Sequence, residues 1–131
     1  MPAQAKDSAR LEHVNISSSD PDRLADLIAR MTGWSRRWEG PAMKGGHTIH
    51  LGDAQAYLAI YSNPQTATSF AKGAPLNHIG IAVTDLDAAE ALVKEAGLLP
   101  FNQGQYDPSP RSFYFLDWDG IEFEVVSYET A

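Results

Sequence analysis

The sequence predicts an α+β fold of two βαβββ modules, whose curved mixed sheets pair to enclose a cleft. The first observation behind this prediction is an internal repeat at an offset of 65 residues, with identical pairs that include Leu11/Leu76, His13/His78 and Ile16/Ile81. The second is the order of elements, because each copy contains one strand, one helix and three further strands. Two such sheets placed edge to edge would enclose a cleft lined by inward-facing strand residues.

The repeat also sets the domain organisation. It divides the chain into a first module over 11–63 and a second over 76–128. Residues 64–75 form the linker predicted between them, and residues 1–10 form a polar, flexible N-terminal arm. Because 131 residues suffice for one core, both modules are expected to form one domain over 11–128.

In the first module, alternating apolar residues predict a strand over Leu11–Ser17. Asp20 then caps a helix that has Pro21 in its first turn and continues to about Thr32, before Gly33 ends it. Three strands are expected after this helix: Ser35–Glu39, Thr48–Leu51 and Ala56–Tyr61.

The second module repeats this order. A strand over 76–83 precedes a helix that is capped by Asp85 and stopped by Gly97. Three strands follow the helix: Leu99–Gln103, Ser112–Leu116 and Ile121–Ser127. The Asp119-Gly120 pair predicts a tight hairpin turn between the last two.

Composition excludes several classes of function. With 10 Lys and Arg against 17 Asp and Glu, the net charge of −7 would repel phosphate backbones and anionic lipids, so we expect neither nucleic acid nor membrane as a partner. The absence of cysteine excludes disulfides, thiolate metal sites and cysteine nucleophiles. No apolar run approaches the roughly 20 residues of a membrane span, and residues 1–10 lack an apolar signal segment. These features predict a cytoplasmic protein with a small-molecule partner.

Two histidines and one carboxylate are the candidate metal ligands. His13 and His78 occupy equivalent positions in the repeat, and Glu124 lies between the apolar residues Phe123 and Val125. A buried carboxylate needs a partner. Two imidazoles and a carboxylate are typical of sites for divalent Fe, Mn, Zn, Ni or Co that leave positions open to water or substrate. Spacing alone equally allows each residue a role in the core or on the surface.

The stretch from Leu76 to Val83, followed by Asp85-Leu86-Asp87, resembles the opening strand and helix cap of the vicinal oxygen chelate superfamily. That superfamily contains glyoxalase I, bleomycin-resistance proteins, extradiol dioxygenases, methylmalonyl-CoA epimerase and fosfomycin-resistance thiol transferases. Residues 113–124 resemble its closing hairpin, with Trp118 where proline is usual. The resemblance covers nearly all of the predicted domain.

This resemblance implies that His13, His78 and Glu124 bind a metal. The family's fourth ligand, a Glu or Gln in glyoxalase I and the epimerase, would fall on Leu58, which can neither bind metal nor move protons. In glyoxalase I that residue also transfers protons. The three remaining ligands are closer to the pattern of the extradiol dioxygenases and the fosfomycin-resistance transferases.

The resemblance implies two further site residues, and position along the strands suggests others. Ser112 and Tyr114 share one face of a strand and are similar to residues that line the active site of the fosfomycin enzymes, although the lysine and C-terminal arginine of those enzymes have no clear counterpart. Tyr114, His47 and His50 are the candidate general bases. The two histidines are three apart on a strand, so at most one points inward. Asn15, two residues after His13, is a candidate to bind substrate.

The function expected from the resemblance is that of a metal-dependent enzyme. It would chelate vicinal oxygens of a small substrate and stabilise an oxyanion or enolate, as a lyase, isomerase or dioxygenase. The alternatives are a metal-free protein of the bleomycin-resistance type, whose ligand the acidic balance would make cationic, and a fosfomycin-type thiol transferase. The open cleft and exposed sheet edges predict a homodimer. Whether the modules pair within one chain or are exchanged between chains is open.

Overall fold

Both copies of the repeat fold into one helix and four strands. The computed structural model describes residues 9–66, 76–105 and 110–129. The first module contains β1 (His13–Ser17), α1 (Pro21–Thr32), β2 (Ser35–Ala42), a 3-10 turn (Met43–Gly45), β3 (Gly46–Gly52) and β4 (Tyr57–Ser62). The second contains β5 (Ile79–Ala82), α2 (Leu86–Glu95), β6 (Phe101–Gln105), β7 (Arg111–Leu116) and β8 (Glu122–Ser127).

Each module forms a mixed four-stranded sheet with its first strand at an edge. The strand order is β1-β4-β3-β2 in the first sheet and β5-β8-β7-β6 in the second. In both sheets the first strand runs parallel to the last strand of its module, and the remaining pairs are antiparallel. The predicted α+β architecture is confirmed, and the two sheets are not closed into a barrel.

Local signals set the helix ends where the sequence predicts them. The side chain of Asp20 accepts a hydrogen bond from the backbone N of Arg23 at 3.2 Å, and that of Asp85 accepts one from Ala88 N at 3.0 Å. Gly33 follows α1 in the left-handed region, with a φ of 79°. A glycine takes this conformation without the strain that a Cβ would add.

Strand ends depend on pairing and differ more from the predicted ranges. The parallel register of β5 and β8 begins at the pair Ile79↔Phe123, so β5 starts three residues after the predicted start of 76–83, and His78 lies just before it. The hairpin of β2 and β3 continues to the pair Ala42↔Gly46, which makes both strands longer than predicted. Main-chain pairing between strands therefore corrects boundaries that side-chain alternation leaves imprecise.

Each helix covers one face of its sheet and leaves the opposite face open. The covered faces contribute one core cluster, whose strand residues include Ile49, Leu51, Leu58, Ile60, Phe113, Phe115, Phe123 and Val125. Residues of the two helices, among them Leu24, Ile28, Ala89 and Val93, complete this cluster. Since strand side chains alternate, the residues between these point to the other side of each sheet. We call these sides the first and the second open face.

The hairpin that joins β7 to β8 fastens the second module to the first. The buried carboxylate of Asp119 accepts hydrogen bonds from the backbone N of Ser19 at 2.9 Å and from its Oγ at 2.5 Å, with Ser18 Oγ at 3.4 Å. Beside it, the guanidinium carbon of Arg23 lies 4.1 Å from the ring centroid of Trp118. A polar clasp and a cation–π contact thus join the modules.

Two expectations fall on residues outside the described ranges. These are the N-terminal arm, of which residues 1–8 are not described, and the linker, of which residues 67–75 are not described. Across 9–66, 76–105 and 110–129, no helix has the length and apolar character needed to cross a membrane.

Candidate functional site

The predicted site residues divide between the two open faces. The first open face carries His13, Asn15 and His50, and the second carries His78, Ser112, Tyr114 and Glu124. Asn15 and His50 both pair with Ala59 of β4, from its two sides. Each module therefore supplies one part of the candidate site.

His78 lies against a carboxylate on the neighbouring strand. Its Nε2 atom is 3.2 Å from Oε1 of Glu124, and its Nδ1 atom is 2.8 Å from Oδ1 of Asn77. An amide oxygen can only accept a hydrogen bond, so the ring proton lies on Nδ1. Nε2 and the ionised carboxylate then face each other as two acceptors, and this contact requires a second proton or another cation between them.

His13 repeats this anchoring in the first module. Its Nδ1 atom lies 2.9 Å from Oε1 of Glu12, and this hydrogen bond is the main cause that lowers the pKa of Glu12. Glu12 and Asn77 are separated by the same 65 residues as the histidines. In both modules the residue before the histidine fixes Nδ1 and leaves Nε2 to a ligand, as partners of metal-binding histidines do.

Tyr114 lies beside the His78–Glu124 pair. Its ring meets the ring of His78 edge-on at 5.4 Å and stacks with Phe101 at 6.0 Å. Tyr114 pairs with Glu124 across β7 and β8, and Ser112 lies two residues before it on the same side. The second open face thus brings together four of the predicted site residues.

The two candidate bases of β3 lie on opposite faces, as their spacing requires. His50 lies on the first open face, with its ring 4.5 Å from that of Tyr57. Burial lowers the pKa of His50, and the positive charges of His13 and Arg37 lower it further. His47 lies on the covered side and places Nε2 3.2 Å from Glu39. Of the two, only His50 shares a face with other predicted site residues.

The alignment of Leu58 with the family's fourth ligand is wrong by one residue. Leu58 lies on the covered face, 5% exposed, in the core cluster. In the second module Glu124 pairs with Gly80, and the equivalent pair in the first module is Asn15↔Ala59. Ala59 therefore occupies the position equivalent to Glu124. Its methyl group offers no metal donor, so this position of β4 has no side chain that could bind a metal.

One chain does not assemble the three predicted ligands into one cluster. Within the described ranges, no three His, Asp or Glu side chains lie close enough together to hold a metal ion. His13 and His78 both line a cavity of about 300 Å³ between β1 and β5, whose other walls include the apolar residues Leu11, Trp34 and Leu76. The structure thus presents a two-donor site, His78 with Glu124, and a separate single donor, His13.

Sequence reasoning missed several residues that line the open faces. Tyr57 stacks on His13 at 4.9 Å, Trp38 lies 5.2 Å from His50, and Arg37 lies over Tyr57. Alternation along β4 could have placed Tyr57 with Ala59, but its pairing with β1 follows only from the sheet order. Glu122 was also missed as a neighbour of His78. It is 7% exposed and places Oε2 3.9 Å from His78 Nδ1.

The fold and these positions agree with a known protein family. A family model described as the Glyoxalase/Bleomycin resistance protein/Dioxygenase superfamily matches residues 10–125. The chain belongs to this superfamily. The match spans both modules, so the repeat, the two sheets and the candidate ligands all lie within the superfamily domain.

Solved structures share this superfamily fold. A glyoxylase/bleomycin resistance protein/dioxygenase domain from Frankia sp. EAN1pec has a TM-score of 0.75 at 19% identity, covering 92% of this chain and 98% of that chain. The fosfomycin resistance protein FosX from Listeria monocytogenes, complexed with Mn(II) and sulfate, has a TM-score of 0.69 at 15% identity, covering 93% of each chain. TioX from Micromonospora sp. ML1 has a TM-score of 0.64 at 20% identity, covering 92% of this chain and 100% of that chain.

At these identities the likeness concerns the fold alone. A comparison with curated proteins gives no significant match. The activity must therefore be inferred from the residues of the site.

Proposed function

We propose that the chain is a metal-dependent enzyme in which a divalent ion holds vicinal oxygens of a small-molecule substrate. The observation that supports this most is the contact between His78 Nε2 and Glu124 Oε1 at 3.2 Å. With Asn77 holding the proton on Nδ1, both facing atoms are acceptors, and a metal ion bound to both would satisfy them.

The donor set fits such an ion. Imidazole nitrogen with carboxylate oxygen suits divalent Fe, Mn, Zn, Ni or Co. The side chains of His78 and Glu124 are 33% and 25% exposed, so an ion and a substrate can reach them. Asn77 supplies the second contact that fixes the ring and its tautomer. FosX, which has the same fold, was crystallised with Mn(II).

We propose that the third ligand is His13 of a second copy of the chain. His13 has the same Nδ1 anchor as His78, and within the described part of one chain it joins no cluster of three donors. Strands β1 and β5 are both sheet edges that pair with no further described strand, and unpaired edges favour association with another chain. A two-fold dimer would form two equivalent sites, each with His13 from one chain and His78 with Glu124 from the other.

A bound ion would act as a Lewis acid that stabilises negative charge on the substrate oxygens. Tyr114, next to His78, is proposed as the general base that accepts a proton from the substrate. His50 is the second candidate base. Ser112 and Asn15, one on each open face, would hydrogen-bond the substrate. These roles suit a lyase, an isomerase or a dioxygenase, and they also suit a thiol transferase of the fosfomycin type.

Metal titration of tag-free protein tests this proposal. Calorimetry with Mn²⁺ and with Zn²⁺ should show uptake by the wild type and its loss in His78→Ala and in Glu124→Ala. His47→Ala and Glu95→Ala are matched controls, because His47 lies on the covered side and Glu95 on α2. Both controls should bind like the wild type.

Absence of uptake by the wild type, or unchanged uptake by Glu124→Ala, would contradict the proposal. No uptake at all would favour the second candidate function, a metal-free protein that sequesters a small molecule. The aromatic surface of the first open face supports that candidate.

A further inference from the structure

Four aromatic rings cross the first open face in one row, one from each strand in the order of the sheet. This ring row consists of Trp38 on β2, His50 on β3, Tyr57 on β4 and His13 on β1. Successive ring centroids are 5.2, 4.5 and 4.9 Å apart. Trp38, at one end, is 50% exposed. Because the rings of His50, Tyr57 and His13 stack on one another, the exposed indole of Trp38 at the end of the row offers the face on which a flat ligand can stack.

A β-bulge in β2 brings a cation to this row. The pairing of β2 with β3 shifts register between Arg36 and Trp38. Arg36 points toward α1 and pairs with carboxylates there, including Asp22 at 2.8 Å. Arg37 instead lies 4.6 Å from the ring centroid of Tyr57. Among the described residues no carboxylate lies within ion-pair distance of Arg37, so its charge is available to a ligand.

Thr48 adds an unused hydroxyl on the same face. It lies two residues before His50 and is 7% exposed. Within the described ranges, its Oγ1 is the one buried side-chain nitrogen or oxygen without a hydrogen-bond partner. Leaving a buried hydroxyl unpaired costs free energy, and a ligand oxygen would satisfy it.

The indole of Trp38 lies over the strand position opposite Thr48. Gly40, which pairs with Thr48, has no side chain and lets the indole lie across the strand, because a Cβ on Gly40 would be 2.8 Å from the ring. The ring row, the guanidinium of Arg37 and the Thr48 hydroxyl therefore converge on one surface.

We propose that the first open face binds a planar aromatic anion, such as an aromatic carboxylate. The ring would pack against the exposed indole of Trp38, and the negative group would pair with Arg37. An oxygen of the ligand would accept a hydrogen bond from Thr48. The planar aromatic anion is the substrate class of the proposed function, and its reaction rests on that function. Its binding requires no metal.

The local charge, more than the net charge, selects the ligand. The acidic balance of the whole sequence favours a cationic ligand for a sequestering protein. Arg37 instead places a positive charge over this face, and the field close to a site depends most on its nearest charges. An anion is therefore the favoured ligand on this face.

Calorimetry on protein freed of metal by a chelator tests the proposal. The probes are 2-naphthoate, its neutral analogue 2-naphthalenemethanol and the non-aromatic cyclohexanecarboxylate. We expect 2-naphthoate to bind roughly tenfold more tightly than either control. Equal affinity for all three, or no binding of 2-naphthoate, would overturn the proposal. Because metal is absent, failure of the metal site leaves this result unaffected, and the two proposals can fail separately.

Variants locate the binding surface. Trp38→Ala should weaken 2-naphthoate binding roughly tenfold. Arg37→Gln should weaken the binding of 2-naphthoate and leave that of 2-naphthalenemethanol unchanged. Arg30→Gln is the control, because Arg30 forms a surface ion pair with Glu95. It should change the binding of neither probe.

Thr48→Val separates binding from folding. It should weaken 2-naphthoate binding severalfold but leave the thermal midpoint unchanged or higher, because it removes an unpaired hydroxyl. Wild-type affinity for 2-naphthoate in Trp38→Ala and Arg37→Gln would overturn the proposal.

Discussion

A single residue before each histidine decides which ring nitrogen is available. Glu12 holds Nδ1 of His13, and Asn77 holds Nδ1 of His78. A carboxylate and an amide differ in charge, but both oxygens can only accept a hydrogen bond from the ring. Both histidines therefore adopt the same tautomer and present Nε2 as the donor for an ion.

The buried carboxyl group of Asp117 makes the stability of the fold depend on pH. Burial raises its pKa and the charge of Asp119 adds to this, whereas hydrogen bonds from the backbone N atoms of Ile121 and Asp119 lower it. The net result is a raised pKa in the folded state. The contribution of Asp117 to the free energy of unfolding therefore falls as the pH rises from about 3.9, the unfolded value, through the folded value.

We predict that Asp117→Asn is more stable than the wild type at neutral pH. The amide oxygen still accepts both backbone hydrogen bonds, each 2.9 Å long, and no charge is buried. Below about pH 3.9 the advantage should shrink, since the wild-type carboxyl becomes protonated in both states. Urea unfolding on both sides of this pH measures the difference.

Asp117→Ala is the control, because it removes the charge, as Asp117→Asn does, and also removes the acceptor of both hydrogen bonds. It should be destabilised by about 1–3 kcal/mol. An Asn variant that is less stable than the wild type at neutral pH would show that the charge of Asp117 stabilises the fold.

The candidate site shows which of its residues can be identified from the sequence alone. His13 and His78 could be predicted because identical residues recur at one offset. The fourth position was misassigned to Leu58 because residues 56–60 are apolar on both faces, so alternation does not identify which residues face the cleft. The repeat offset of 65 residues leads from Glu124 to Ala59, and the pairing Asn15↔Ala59 agrees with it.

At the scale of elements, the helices could be predicted better than the strands. Both helix starts depend on a side chain and a backbone N three residues apart, which is local information. The ends of β5 and the bulge in β2 depend on strands distant in sequence. The ring row could not be predicted for the same reason, since it requires the order β1-β4-β3-β2.

The clasp between the β7–β8 hairpin and the start of α1 carries a prediction at this scale. Asp119→Ala removes the buried carboxylate that accepts hydrogen bonds from the backbone N and the Oγ of Ser19. We expect the free energy of unfolding to fall by about 2–4 kcal/mol, since hydrogen bonds to a charged group are among the stronger ones. Urea unfolding measures the loss.

Asp26→Ala is the matched control for the clasp. Asp26 is an exposed carboxylate that pairs with Arg36 on the surface, and such pairs contribute about 0–1 kcal/mol. Equal losses in the two variants would show that the clasp contributes no more than a surface ion pair.

At the scale of the whole molecule, duplication explains the division of the site. Each module supplies an anchored histidine and an open face, but only the second retains a carboxylate, Glu124, where the first has Ala59. The first open face instead carries the ring row. We infer that one face has specialised in holding the ion and the other in holding the ligand. Association of two chains would bring unlike faces together.

The most direct test of a metal site shared between two chains is complementation between two variants that each lack metal binding. His13→Ala and Glu124→Ala should each bind no metal alone. If each site takes His13 from one chain and Glu124 from the other, mixed dimers contain one intact site out of two. Random mixing makes half of the dimers mixed, so about a quarter of all sites should bind metal when the variants are unfolded and refolded together. Uptake that stays at zero in the mixture, while a refolded wild type binds fully, would contradict a site shared between chains.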